Sequence, residues 1–140
     1  MLTFCNSDTL WIKEYRRVYP WLAEAMEYAD GRCTEDTVIQ GLLSHEYSLW
    51  TTPNAACVLQ IVNVPGSDIR TLFVFLSGGD LNEIIQSEPL IAQYGQAMGC
   101  SCMEISGRRG WERALKPLGW NYSSTNLVKK LQEVSDGFQS

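Results

Sequence analysis

The chain has a single histidine, His45, in 140 residues. Classical zinc sites draw on several His and Cys ligands. Cys100-Ser101-Cys102 is too tight for a zinc knuckle and has no second pair, so no metal is expected. Basic residues are also scarce. Eleven Lys and Arg face sixteen Asp and Glu, a net charge of −5. Such a chain repels nucleic acid and anionic lipid, so neither is an expected partner. No apolar run reaches the length of a membrane span. The opening Met1-Leu2-Thr3-Phe4-Cys5-Asn6 has no basic segment before an apolar one, so no signal peptide is expected. Repeats and low-complexity linkers are absent.

The residues present are those of a globular domain, 45% hydrophobic and 19% charged. One domain over residues 1–140 is expected, with 132–140 a frayed polar tail. The cysteines are Cys5, Cys33, Cys57, Cys100 and Cys102. An odd number set mostly in apolar runs reads as free, buried thiols of a cytosolic protein.

Hydrophobic periodicity predicts a helix from Asp8 to Ala29, capped by Asp8 and kinked or split at Pro20. Thr34 caps a second helix carrying Val38, Ile39, Leu42 and Leu43. Tyr47 to Thr51 reads as a short strand. Ala55 to Val64 and Ile69 to Leu76 read as strands joined by the turn Pro65-Gly66-Ser67-Asp68, an antiparallel hairpin. Ser77-Gly78-Gly79-Asp80 reads as a break. A helix follows, interrupted near Ser87-Glu88-Pro89 and closed by Gly99. Ser101 to Ser106 is a strand, Arg109 to Leu118 a helix, and Trp120 to Leu131 a last strand. Strand–helix–strand units imply parallel pairing, here between 69–76 and 101–106. The expected fold is a mixed α/β sheet with helices on both faces.

Over Ile69 to Leu131 this order resembles the GCN5-related N-acetyltransferase (GNAT) family. Leu76-Ser77-Gly78-Gly79-Asp80-Leu81 stands where that family places a phosphate-cradling turn. Gly107-Arg108-Arg109-Gly110-Trp111 to Gly119-Trp120 stands where it places a helix ending in Gly-aromatic. The pair SGGDL and GRRGWERAL is similar to small GNAT-like proteins of tailed bacteriophages and prophages. The resemblance implies acetyl-coenzyme A as cofactor and an amine as acceptor. It also departs from the family. The phosphate loop lacks its leading Gln or Arg and its spaced second glycine. The usual acid tyrosine falls at Leu115, and the usual asparagine at Arg108.

Each candidate residue has two readings. Ser77, Gly78 and Gly79 can cradle a pyrophosphate through backbone N–H groups, or can simply turn the chain into a helix capped by Asp80. Strand alternation puts Cys102, Glu104 and Ser106 on one face, so Glu104 can act as general base at the cleft, or pair with Arg108, Arg109 or Arg113. Arg108 and Arg109 can bind cofactor phosphates or local carboxylates. Tyr122 can replace the missing acid, or pack. His45 can face the acceptor, or favour a helix C-terminus. Trp111, Ala114, Leu115 and Leu118 form a core stripe. Trp11, Trp21 and Trp50, with Tyr15, Tyr19 and Tyr28, can line an acceptor pocket or bind another protein.

Two functions follow. One is an N-acyltransferase using an acyl-coenzyme A. The other is a non-enzymatic phage protein on the same scaffold, a virion component or a binder of a host protein. The location is then the host cytoplasm or the virion.

Overall fold

A computed structural model describes residues 2–28, 33–105, 109–121 and 129. The elements in order are β1 (Thr3–Cys5), α1 (Asp8–Tyr28), α2 (Glu35–Leu43), β2 (Tyr47–Thr52), β3 (Ala55–Asn63), β4 (Arg70–Gly79), α3 (Leu81–Ala97), β5 (Cys102–Ile105) and α4 (Arg109–Leu115). A 3₁₀ turn over Lys116–Leu118 extends α4.

The five strands lie in the order β1-β2-β3-β4-β5. The first three pairings are antiparallel. The last, β4 with β5, is parallel, as the strand–helix–strand order requires. Its ladder covers four pairs, Thr71↔Cys102 to Val74↔Ile105, while β4 runs on to Gly79. The strand–helix–strand order also leads to the expectation that these strands splay at their C-terminal ends, which concerns residues after Ile105 outside the described set.

Alternation along the strands feeds two cores. Leu49, Ala56, Val58 and Leu76 face Val18 and Leu22 of α1 and Val38 and Leu42 of α2. Trp50, Cys57, Leu59, Leu72 and Val74 face Ile91 of α3. The mixed sheet therefore carries helices on both faces.

The structure corrects several expectations. α1 runs unbroken through Pro20, and α3 through Pro89. Proline costs each helix a hydrogen bond, but buried side chains on either side anchor the turns before and after it: Val18 and Leu22 in α1, Ser87 and Ile91 in α3. Ser7, not Asp8, caps α1, accepting from the Leu10 N–H at 3.3 Å. Asp8 instead accepts from Trp11 Nε1 at 3.0 Å. Strand β1 was not expected. Its three residues gain their order from pairing with Leu49 to Thr51. Of the predicted stripe on α4, Leu115 is buried, but Leu118 is 39% exposed, because the helix tightens to a 3₁₀ turn that rotates Leu118 outward. Most of the predicted last strand and the predicted tail lie outside the described residues.

Among the described residues no helix is long and apolar enough to cross a membrane. All five cysteines are free; Cys5, Cys33 and Cys57 are buried, and Cys102 is exposed.

Candidate functional site

The junction from β4 to α3 is built of backbone packed on backbone. Ser77, Gly78 and Gly79 do not break the strand; they continue it, paired with Cys57, Ala56 and Ala55. A Cβ on Gly78 would sit 2.4 Å from the Trp21 carbonyl oxygen, so α1 crosses here at a distance only glycine permits. Gly79 has φ +102, and a Cβ there would sit 2.4 Å from the Asn54 carbonyl oxygen. The predicted break therefore falls after the glycines, at Asp80. Its N–H donates to Asn54 O at 2.8 Å. Its carboxylate accepts from the N–H groups of Asn82 at 2.8 Å and Glu83 at 3.3 Å, capping α3.

Further polar contacts clamp this end of the sheet. Glu83 accepts from the Asn54 N–H at 2.9 Å and from Asn54 Nδ2 at 2.7 Å. Together with the Thr52 hydroxyl, these donors hold its carboxyl below the usual range. Arg17 donates to the carbonyls of Thr52 and Pro53, each at 2.8 Å, and pairs with Glu14 at 3.0 Å. Sequence reasoning missed this clamp, because its contacts between elements join residues 29 to 36 positions apart.

β4 carries a bulge. Val58 pairs with Leu76 and Leu59 with Val74, so Phe75 is the extra residue. The bulge lies just past the end of the described β4–β5 ladder. Glu104 lies opposite Phe73 on β5, exposed, and makes no ion pair among the described residues. Of the three arginines weighed as its partner, Arg113 makes no ion pair with it, while Arg108 and the Arg109 side chain lie outside the described set. Arg109 opens α4. Arg108 and Tyr122 lie outside the described residues. His45 occupies the turn after α2 with φ +64, its Nε2 3.8 Å from Asp8 at the surface. Trp11, Tyr15 and Trp50 are buried in the two cores, so these three aromatics build the fold rather than a contact surface. The position of the family's tyrosine, Leu115, is 4% exposed.

Among the described residues, two of the clefts lie beside the sheet. One, of about 360 Å³, lies between α3, the start of β5 and the end of α4, lined by residues including Gln96, Cys100, Cys102 and Trp120. The other, of about 460 Å³, lies against α2 and is lined by residues including Asp36, Glu46 and Tyr47. Ser77, Gly78 and Gly79 line neither.

No family model matches the sequence, and no curated protein matches it. Solved structures do match. A probable acetyltransferase superposes with a TM-score of 0.69 at 9% identity, over 95% of this chain and 99% of its own. The chain has a GNAT-like fold. A predicted acetyltransferase from Clostridium acetobutylicum, solved with acetyl-CoA, has a TM-score of 0.65 at 9% identity, over 96% of this chain and 99% of its own. A ribosomal-protein-alanine N-acetyltransferase from Brucella melitensis biovar Abortus 2308 has a TM-score of 0.62 at 12% identity, over 94% and 99%. At such identities the likeness is one of fold, and function must be argued from the site.

Proposed function

We propose that the chain is an N-acyltransferase that moves an acetyl group from acetyl-coenzyme A to an amine. The observation that carries the reading is the upper half of β4. It bulges at Phe75, out of step with β3, and leads directly into α3. A bulge leaves backbone N–H and C=O groups outside the ladder, which an extended amide-containing ligand can use. The neighbour from Clostridium acetobutylicum, solved with acetyl-CoA, supports the choice of ligand.

The fit is uneven. The thioester end has the bulge at Phe75 to lie against. At the phosphate end, the close approach that Gly78 and Gly79 permit is used by Trp21 and Asn54, and Asp80 takes the first N–H groups of α3. Ser77, Gly78 and Gly79 are therefore kept as neighbours of the phosphates, while Arg108 and Arg109 are assigned to hold them. When bound, the cofactor supplies an activated acyl thioester. The amine nitrogen bonds to the acyl carbon, the C–S bond breaks, and the amine proton passes to the Glu104 carboxylate. Tyr122 is assigned to protonate the departing thiolate. Holding the amine against the thioester supplies much of the rate.

A second reading has one observation in its favour. Asp80 places a carboxylate where a phosphate would bind, which suits a scaffold that has given up the cofactor, such as a phage virion component or a host-protein binder. Coenzyme A binding separates the two: stabilisation by coenzyme A supports the enzyme, and no stabilisation supports the scaffold protein.

A further inference from the structure

The chain enters α3 as Asp80-Leu81-Asn82-Glu83, an acidic N-cap followed three residues on by glutamate. That spacing is the signature of a reciprocal cap. The N-cap side chain takes the N–H of the third helical residue, and the glutamate reaches back to the N-cap N–H. Only half of it forms here. Asp80 accepts from the Glu83 N–H at 3.3 Å, but the Asp80 N–H donates elsewhere, to Asn54 O at 2.8 Å.

Asn54, in the turn between β2 and β3, takes both missing partners. Besides accepting from Asp80, it donates to the two oxygens of Glu83, from its N–H at 2.9 Å and from Nδ2 at 2.7 Å. Arg17 of α1 anchors the same turn through the carbonyls of Thr52 and Pro53, each at 2.8 Å. The Glu83 carboxylate is therefore fixed on the turn and not over the first turn of its own helix. Neither Asp80 nor Glu83 makes an ion pair among the described residues, so each carboxylate repels an anion that approaches the start of α3.

We propose that Asn54 is a positioning residue for the cofactor: it holds Glu83 out of the reciprocal cap, so that one carboxylate, Asp80, and not two, stands over the start of α3 where the phosphates approach. The role toward the cofactor rests on the acyltransferase reading; the hold on Glu83 does not. Released from Asn54, the Glu83 carboxylate is drawn to the N–H groups of the first turn and the positive end of the helix. A second negative charge then stands beside the phosphates and weakens binding. Asn54 acts on the cofactor only through Glu83.

The test is a double-mutant cycle, read by calorimetric titration of the whole protein with acetyl-coenzyme A. Asn54→Ala removes the Nδ2 donor and should weaken binding by about two- to fivefold, the range of one exposed charge interaction. The same substitution in a Glu83→Gln background should change nothing, because the released side chain is then neutral. Equal losses in both backgrounds would mean that Asn54 merely shapes the turn, and would overturn the proposal. Asn54→Asp, of the same shape, turns the Nδ2 donor into a like charge and should weaken binding further than alanine does.

A second readout needs no cofactor. An NMR titration of the side-chain carboxyls should find Glu83 higher in Asn54→Ala, nearer its ordinary 4.5, since the lost Nδ2 is one of the donors that lower it. A Glu83 that titrates as in the wild type would refute the hold. If the wild type binds acetyl-coenzyme A and both Asn54 variants bind it equally well, the inference falls and the acyltransferase reading stands. If the wild type binds none at millimolar concentration, the reading falls and takes the inference with it, even where the Glu83 titration moves.

Discussion

Gly78 on β4 lies against the backbone of Trp21 on α1, where a Cβ would approach the carbonyl oxygen to 2.4 Å. The obstacle is backbone in a helix anchored by Val18 and Leu22, both fully buried, so it cannot swing aside. Gly78→Ala should cost about 1–3 kcal/mol through overpacking. Gly66 is the control. It has φ +76 with nothing within 4 Å of a built Cβ, so Gly66→Ala should cost only its backbone strain, about 1 kcal/mol. Urea denaturation of both variants checks this, and a Gly78→Ala midpoint above that of Gly66→Ala would contradict the packing. The same contact governs how Gly79→Val is read: it meets the Asn54 and Ala55 backbone, so any loss of ligand binding would report a damaged fold as well.

The thiols should react in order of exposure. In the native protein a thiol reagent should modify Cys102 first, Cys100 more slowly, and Cys5, Cys33 and Cys57 only after unfolding. Burial pushes Cys57 up to about 12, so little thiolate is present at neutral pH. Denaturant should release five thiols in all, and a count of three or fewer would show disulfides that this structure does not contain.

Acid should weaken the fold through two carboxylates. Glu14 accepts from Arg17 and from the Thr51 hydroxyl, and these hold its carboxyl below the ordinary 4.5. Glu83 is lowered by Thr52 and Asn54. A group with a lowered folded value binds fewer protons when folded than when unfolded. It therefore adds stability above about 4.5 and loses it as pH falls through the folded value. The urea midpoint should drop on acidification below that point, and the drop should be shallower in Glu14→Gln and Glu83→Gln. A midpoint that rises there would contradict the assignment.

Much of the fold was legible in the sequence. Pro65-Gly66-Ser67-Asp68 marked the β3–β4 hairpin, Thr34 marked the start of α2, and the strand–helix–strand order marked β4 and β5 as parallel neighbours. These signals are local, or follow from chain handedness. Other features depend on contacts between distant residues. Two glycines after an apolar run look like a turn until the Trp21 carbonyl is seen crossing them. Prolines 20 and 89 look like breaks until the buried side chains on either side of them are in place. β1 is too short to announce itself and is ordered by β2. Which residues of β2, β3 and β4 line up with Glu104 depends on three registers at once, and alternation within one strand fixes only which face Glu104 shares with Cys102.

Asp80 is the residue on which cofactor binding should turn. Asparagine caps a helix about as well as aspartate, so Asp80→Asn should leave the unliganded melting temperature nearly unchanged. It also removes a negative charge from the start of α3, so it should tighten coenzyme A binding. Weaker binding in Asp80→Asn would place the phosphates elsewhere on the molecule.

The central claim is that this chain binds an acyl-coenzyme A, and thermal unfolding with and without acetyl-coenzyme A tests it most directly. A ligand at 100 times its dissociation constant stabilises the folded state by about 2.7 kcal/mol. The account predicts a melting temperature that climbs with acetyl-coenzyme A concentration through the millimolar range and climbs further in Asp80→Asn. An unchanged melting temperature at millimolar acetyl-coenzyme A, in the wild type and in Asp80→Asn alike, would contradict it.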